Sequence, residues 1–296
     1  MGRSSTALTT GTTTAATTSV DEPGHGQPSA AAPRPRGRRK NRAWYRLISP
    51  VVVIGLWQLV SSTGLISTQK LPSPVTVWRT AVSLVTQDSP AYGTLQGAML
   101  VSLERMAIGF VFGAAAAVIF ALIAGLSRFG ENAVDPVLQI LRTLPLFGLL
   151  PLFIVWFGID NLPKIILIAL GTAIPLYLNM FAGIRSVDGK LIEAARTLKL
   201  TKLELIRDVI LPGALPQTLT GLRQSLGVAW LALVVAEQVN ANSGIGFMIS
   251  QATQFLRNDV IMVCLIVYAI LGLLTDALVR LLERKALVWR RTLLPQ

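Results

Sequence analysis

Six apolar stretches punctuate the chain after residue 42, each of roughly the 17–25 residues that carry a helix across a bilayer. They run from Leu47 to Leu65, within Leu95 to Leu126, from Pro136 to Phe157, from Leu162 to Ile184, from Leu215 to Val239 and from Val260 to Leu282. The second is too long for one upright span. Between the first two lies LPSPVTVWRTAVSLV, where Ser73 is placed to cap a helix and Pro74 suits its first position. Its apolar residues fall short of a spanning length, so a short amphipathic helix at the interface is predicted. Asp135-Pro136 repeats the cap-then-proline signal and predicts the start of the third span. The expected fold is all-α, with six transmembrane helices. Residues 1–42, rich in Thr, Ser, Ala, Gly and Pro, show no periodic apolar face and cannot offset their ordering entropy. They are predicted to be a disordered tail, basic at its end (PRPRGRRKNR), preceding a transmembrane domain at 43–296. No clean small-residue cleavage site follows the basic cluster, so the first span reads as an uncleaved helix.

Composition strengthens the membrane reading. Of 296 residues, 52% are hydrophobic and 14% charged, against about 25% charged in soluble domains. The net charge of +12 suggests nucleic acid until the cations are located: they flank apolar runs and form no stripe interleaved with aromatics. With the N-terminus inside, seven Lys or Arg from Arg34 to Arg46 abut the first span, Arg128 follows the second, six lie between the fourth and fifth, and five close the chain. That makes nineteen inside, against Lys70, Arg79, Lys164 and Arg257 outside. The positive-inside rule therefore predicts both termini in the cytoplasm. The single cysteine, Cys264, and the single histidine, His25 in the tail, argue against disulfide frameworks, multi-cysteine metal sites and histidine-centred catalysis.

The segment joining the fourth and fifth stretches, about residues 185–212, carries helices of its own. Asp188 is placed to cap a helix containing Glu193, Ala194, Ala195 and Leu198. Thr201, three residues before Glu204, forms a capping-box pattern for a second helix. Leu203, Ile206, Val209 and Ile210 give that helix an apolar stripe, and Pro212 is expected to end it. GIRSVDGKL superficially suggests a phosphate-binding loop, but its spacing is one residue too long and Leu191 stands where Ser or Thr is required.

Glu193-Ala194-Ala195 followed by Leu211-Pro212 resembles the EAA loop of ABC-importer permeases. SLERMAIGFVFG, DPVLQILRTLPLFGLLPLFIVWFGI and EAARTLKLTKLELIRDVILPGALP extend the resemblance from about Trp57 to Leu282, toward the branch handling nitrate, taurine and sulfonates. It implies a type I importer permease fold and transport of a small anion by ATP-driven alternating access. It also implies that Glu193, Ala194, Ala195, Lys199, Thr201, Glu204, Leu211 and Pro212 belong to a cytoplasmic coupling loop. The implied partners are two ABC ATPase subunits that bind ATP-Mg, a second permease copy and an external substrate-binding protein. No catalytic residue, cofactor or metal is expected in the chain itself. Lys199 departs from the family, which usually has glycine at this bend.

Charges inside spans are costly and become candidates for function by default. They are Glu104 and Arg105 in the second stretch, Arg142 about one and a half turns into the third, Arg223 early in the fifth, and Glu237 near its outer end. Glu104 and Arg105 point to different helix faces. Most of these charges read as structural pairs, with Arg105, Arg142 and Glu237 the candidates for a translocation path. Gly109 and Gly113 predict close helix packing, either within the subunit or across a dimer. NANSGIGFMISQATQFLRND, between the last two stretches, reads as an outer loop or a short re-entrant piece lined by Asn240, Asn242, Ser243 and Gln251. A membrane-embedded enzyme would need a catalytic cluster that the sequence lacks, and a secondary carrier with internal repeats would need a duplication it does not show.

Overall fold

The structure, a computed structural model, describes residues 43–64, 67, 69–89 and 91–287. The tail at 1–42, its basic cluster, Leu65 and the final cations Arg290 and Arg291 lie outside the described residues, as does the side chain of Asn240. The chain divides between Leu47 and Ile48 into two compact units, and the helical packing lies within the second.

Eleven α-helices follow one another among the described residues: α1 (Ala43–Ser62), α2 (Pro74–Thr86), α3 (Leu95–Leu126), α4 (Arg128–Thr143), α5 (Leu150–Phe157), α6 (Asn161–Arg185), α7 (Gly189–Thr197), α8 (Lys202–Glu204), α9 (Leu211–Asn240), α10 (Ile245–Gln254) and α11 (Asn258–Ala286). A 3₁₀ turn at Leu146–Leu149 precedes α5, and a π-helical run at Leu205–Ile210 joins α8 to α9. The spans centred on α3, α6, α9 and α11 are long and apolar enough to cross a membrane. α1, with 20 residues, is about 30 Å long at ~1.5 Å per residue. The second stretch is one unbroken helix of 32 residues, about 48 Å and so longer than the hydrocarbon core.

The third span departs from expectation. It begins eight residues earlier, at Arg128, because Ser127 accepts a hydrogen bond from the Gly130 amide at 2.9 Å and caps α4. Asp135 instead accepts from the Tyr177 hydroxyl, and Pro136 lies inside the helix. The span is also broken, with α4 and the segment Leu146–Phe157 meeting at 92°. Leu144-Pro145 explains the break: a proline disfavours helical geometry in the residue before it, and Leu144 is extended at ψ 140°.

α3, α6 and α9 form the centre, with α6 packed against both neighbours. Gly109 and Gly113 permit one of these contacts. A side chain at Gly109 would meet Ile168, and one at Gly113 would run into the Ala169 carbonyl. The predicted small-residue pair thus packs within the chain. Two apolar clusters result, one toward the α7 end of the bundle (Ala121, Leu138, Tyr177, Ile184, Ala214) and one toward the α10 end (Leu150, Leu167, Leu233, Met248, Val263).

α2 has the predicted Ser73 cap, accepting from the Thr76 amide at 3.1 Å, and Pro74 in its first turn. Val77, Thr80 and Leu84 are buried while Trp78 is 71% exposed, which fits a helix with one face on protein and one on lipid. Exposed Val51, Leu100, Phe112, Leu273 and Leu274 on the long helices belong to the same lipid-facing surface.

Candidate functional site

The loop between α6 and α9 is built from its predicted caps. Asp188 accepts from the Lys190 amide at 2.9 Å and starts α7. Thr201 and Glu204 form the reciprocal capping box: the Glu204 carboxylate accepts from the Thr201 amide at 2.8 Å, and the Glu204 amide donates to the Thr201 hydroxyl at 3.3 Å. Glu193 and Ala194 face outward, whereas Ala195 is buried at 5% exposure. Its methyl therefore seats α7 on the body and leaves the Glu193 face free. Leu191, Leu198 and Leu203 are all more than half exposed.

Lys199 makes the bend at φ 58°. Its amide donates to the Arg196 carbonyl at 2.9 Å, and the Leu200 amide reaches back to the Ala195 carbonyl at 3.2 Å. This pair of bonds is the Schellman motif, in which the residue after the cap is left-handed and usually glycine. The lysine keeps the geometry of a glycine turn at a cost of about 1–2 kcal/mol in backbone sterics.

Pro212 does not end the second helix. A proline in a continuous α-helix clashes with the carbonyl four residues earlier. Here the preceding turn is widened to π geometry, and the Leu211 amide bonds the Ile206 carbonyl five residues back. α8, the π run and α9 consequently run on as one apolar helical stretch from Lys202 to Val239. Ile206, Val209 and Ile210 turn toward the body, but Leu203 points away at 75% exposure. Leu211, Pro212, Arg207 and Leu215 line a shallow crevice of about 450 Å³ beside this joint.

At the other end of the bundle Arg105 on α3 and Glu237 on α9 meet at 2.7 Å, with 6% and 0% of their side chains exposed. Glu237 also accepts from Ser102 at 2.8 Å, from Tyr268 at 3.1 Å and from the Gly246 amide at 3.0 Å. Arg105 further donates to the Ser243 carbonyl at 2.6 Å and to Asn161 at 2.8 Å. Every side-chain nitrogen and oxygen of the couple has a hydrogen-bond partner, the condition under which a buried ion pair is tolerable. The carboxylate lies at the N-terminus of α10, where helix polarity favours negative charge. Side chains at Gly244 or Gly246 would collide with Glu237, so the NSGIG turn and the carboxylate fit one another closely. α10 is thereby an inserted, largely buried helix. Ser243 bonds Arg105, while Asn242 is exposed and Gln251 half-buried.

Ser102, Tyr268, Gly244 and Gly246 escaped the sequence reading. The only available hint was Gly-Ile-Gly beside a charge in a span. Arg223 pairs with Asp276 at 3.5 Å and with Glu283, joining α9 to α11, and Glu104 stays exposed on the opposite face from Arg105. Arg142, finally, lies in the last turn of α4 rather than its second, because the helix starts earlier than expected.

A membrane bundle of this topology, carrying a capped two-helix loop before a proline-started span, can be set against known proteins. The model of the family described as binding-protein-dependent transport system inner membrane component matches residues 109–288. The chain belongs to that family. A Bacillus subtilis (strain 168) relative named as an aliphatic sulfonates transport permease, SsuC, is 45% identical over 265 residues, covering 89% of this chain and 94% of its own length. The taurine transport system permease protein TauC of Escherichia coli (strain K12) is 34% identical over 238 residues, 80% of this chain and 86% of its own. The crystal structure of an amino acid ABC transporter with histidines shares the fold, with a TM-score of 0.54 at 20% identity over 64% of this chain and 92% of its own. The chain is therefore a membrane permease, and its α6–α9 loop occupies the heart of the matched family region.

Proposed function

We propose that this permease imports a small organic or inorganic oxyanion, of the sulfonate, taurine or nitrate kind, driven by ATP hydrolysed in separate subunits. The observation that carries the reading is the α6–α9 loop. α7 is held by a cap at one end and a Schellman turn at the other, it is seated through Ala195, and it leaves Glu193, Ala194 and Leu191 exposed, with Leu198 and Leu203 exposed just beyond it. A rigid, exposed, part-apolar helix joined by one tight turn at Lys199 to a helix that runs on into a membrane span suits a lever that a soluble partner pushes. The relatives' names support the anion, since aliphatic sulfonates and taurine are named among them.

In this reading two ABC ATPase subunits, carrying ATP-Mg, grip the loops of two permease copies, and an external binding protein delivers the solute. The loop and both termini lie in the cytoplasm, and nucleic acid has no part. The chain itself supplies no catalytic group, cofactor or metal. ATP binding has to favour one orientation of the spans over the other, because only differential affinity shifts a conformational equilibrium. The Leu205–Asn240 stretch transmits that preference from loop to membrane. Arg105 and Glu237 hold the far end of the bundle together and do not serve as binding groups in the path.

Affinity purification of the tagged chain in mild detergent tests the assembly. An ATPase subunit recovered in about equal amount is the expected outcome, and reconstitution with it and the binding protein should give ATP-dependent uptake of an alkanesulfonate. A well-folded chain that purifies alone, or transports without ATP, would overturn the reading.

A further inference from the structure

The break in the third span sits at half the depth of the bundle. Leu146, at the elbow, packs 3.2 Å from where a side chain on Gly171 would begin, and Val228 lies equally close. Gly171 is near the middle of α6 (Asn161–Arg185), and Val228 is near the middle of α9 (Leu211–Asn240). The two arms are anchored in different cores: Leu138 of α4 in the cluster at the α7 end, Leu150 and Phe153 of α5 in the other. Between them Thr143, Leu144, Pro145, Phe147 and Gly148 are exposed.

Irregular backbone at this depth is not tolerated against hydrocarbon, where its free polar groups cost several kcal/mol each; it persists only beside protein or water. Arg142 stands on the lip of this elbow. It is exposed and, unlike Arg105, Arg185 and Arg223, makes no ion pair among the described residues. A cation at the bilayer centre costs about 2.5–3.5 kcal/mol on insertion scales. The elbow, placed beside Gly171, lies about 15 Å from either interface, so a charge one helical turn away has to be hydrated to escape that cost. An aqueous cavity against this side of α4 would hydrate both Arg142 and the open elbow.

We infer that the elbow of the broken span lines the solute path and that Arg142 is the group that takes the oxyanion head. A guanidinium offers a planar fork matched to two oxygens of a sulfonate or nitrate. The exposed side chains of Leu144 and Phe147 give the same site an apolar margin for an alkyl tail. This inference rests on the import of an anion proposed above and assigns the selectivity of that import to one side chain.

The test uses the permease reconstituted with its ATPase and binding protein. Arg142→Gln is expected to lower kcat/KM for alkanesulfonate uptake at least tenfold while ATPase stimulation by the binding protein persists. Arg142→Lys should retain more uptake than Arg142→Gln. The thiol of Arg142→Cys should react with an anionic, water-soluble methanethiosulfonate, and alkanesulfonate should slow that reaction. Attaching a cationic methanethiosulfonate there should restore part of the uptake. Cys264, which is fully buried, supplies little background. Normal uptake by Arg142→Gln overturns the inference, as does a thiol that reacts only with a membrane-soluble reagent. Disulfide formation between two copies through that thiol, without protection by sulfonate, also overturns it and assigns the elbow to a contact between copies. Absence of ATP-dependent uptake in the unaltered complex would instead sink the proposed function, and the accessibility result would still report on the elbow.

Discussion

The two ends of the bundle use the same local device in opposite settings. α7 and α10 are both short, and both end in a left-handed residue that is not glycine, Lys199 at φ 58° and Leu256 at φ 53°. α10 is held by a buried carboxylate, a buried arginine and two hydroxyls shared with α3, α9 and α11. α7 is held by caps within its own loop and by one buried methyl. The first arrangement stakes several kcal/mol on the completeness of a polar network, because an unpaired charge left in an apolar interior is expensive. The second commits little to any one contact, so the helix keeps its shape while its seat on the body can change. One end is tied together by a buried polar network, and the other suits the proposed role of a rigid piece that is moved.

The largest effect should follow from breaking the fixed end. Glu237→Ala leaves Arg105 buried without its counter-charge, and about 3–5 kcal/mol of stability is expected to go. Thermal unfolding in detergent would register this as a large fall in Tm or loss of monodisperse protein. The pairing itself is tested by Arg105→Met combined with Glu237→Leu. Removing both charges should recover a substantial part of the loss, and a double variant as unstable as the single would refute the account of the pair.

At the movable end the expected change is in function. Glu193→Lys alters an exposed side chain that makes no hydrogen bond or ion pair among the described residues, so Tm should shift by less than about 0.5 kcal/mol equivalent. Transport should drop at least tenfold, and co-purification of the ATPase should weaken. Normal transport by a well-expressed variant would remove the loop from its proposed role. A smaller effect is expected at the capping box. Thr201→Ala should cost about 1 kcal/mol, visible as faster hydrogen exchange at amides of Leu203 and Glu204 while the α10 region is unchanged.

How much of this was legible in the sequence differs between the two ends for a physical reason. Caps are local, so Ser73, Asp188 and the Thr201–Glu204 box could be read from neighbours two or three residues away. Span existence was equally legible, because bilayer thickness sets a length that hydropathy reveals. The Arg105–Glu237 pair joins positions 132 residues apart, and no local pattern encodes such a meeting. Pro212 was misread for a related reason. The rule that proline ends helices assumes an α turn before it, whereas burial of Ile210 against the bundle holds a π turn there instead. Asp135-Pro136 carried a valid start signal that lost to Ser127, whose cap coincides with the end of α3.

The smallest effect addresses the shared turn. Lys199→Gly removes the clash between Cβ and backbone that a left-handed residue carries, which is worth about 1–2 kcal/mol. Part of that gain is offset, because glycine loses more conformational freedom on folding, by roughly 0.5–1 kcal/mol. A net stabilisation of about 0.5–1 kcal/mol is expected, and Leu256→Gly should give a similar gain since its backbone is alike. The two differ in what else they remove. Lys199 is exposed on the loop assigned to the ATPase, so its substitution should also change ATPase affinity if the side chain reaches the partner. Equal stabilisation by both variants, with ATPase recovery unchanged for Lys199→Gly, would mean the lysine is only a strained turn. Weaker recovery despite a more stable loop would mean that the strain is retained for the contact its side chain makes.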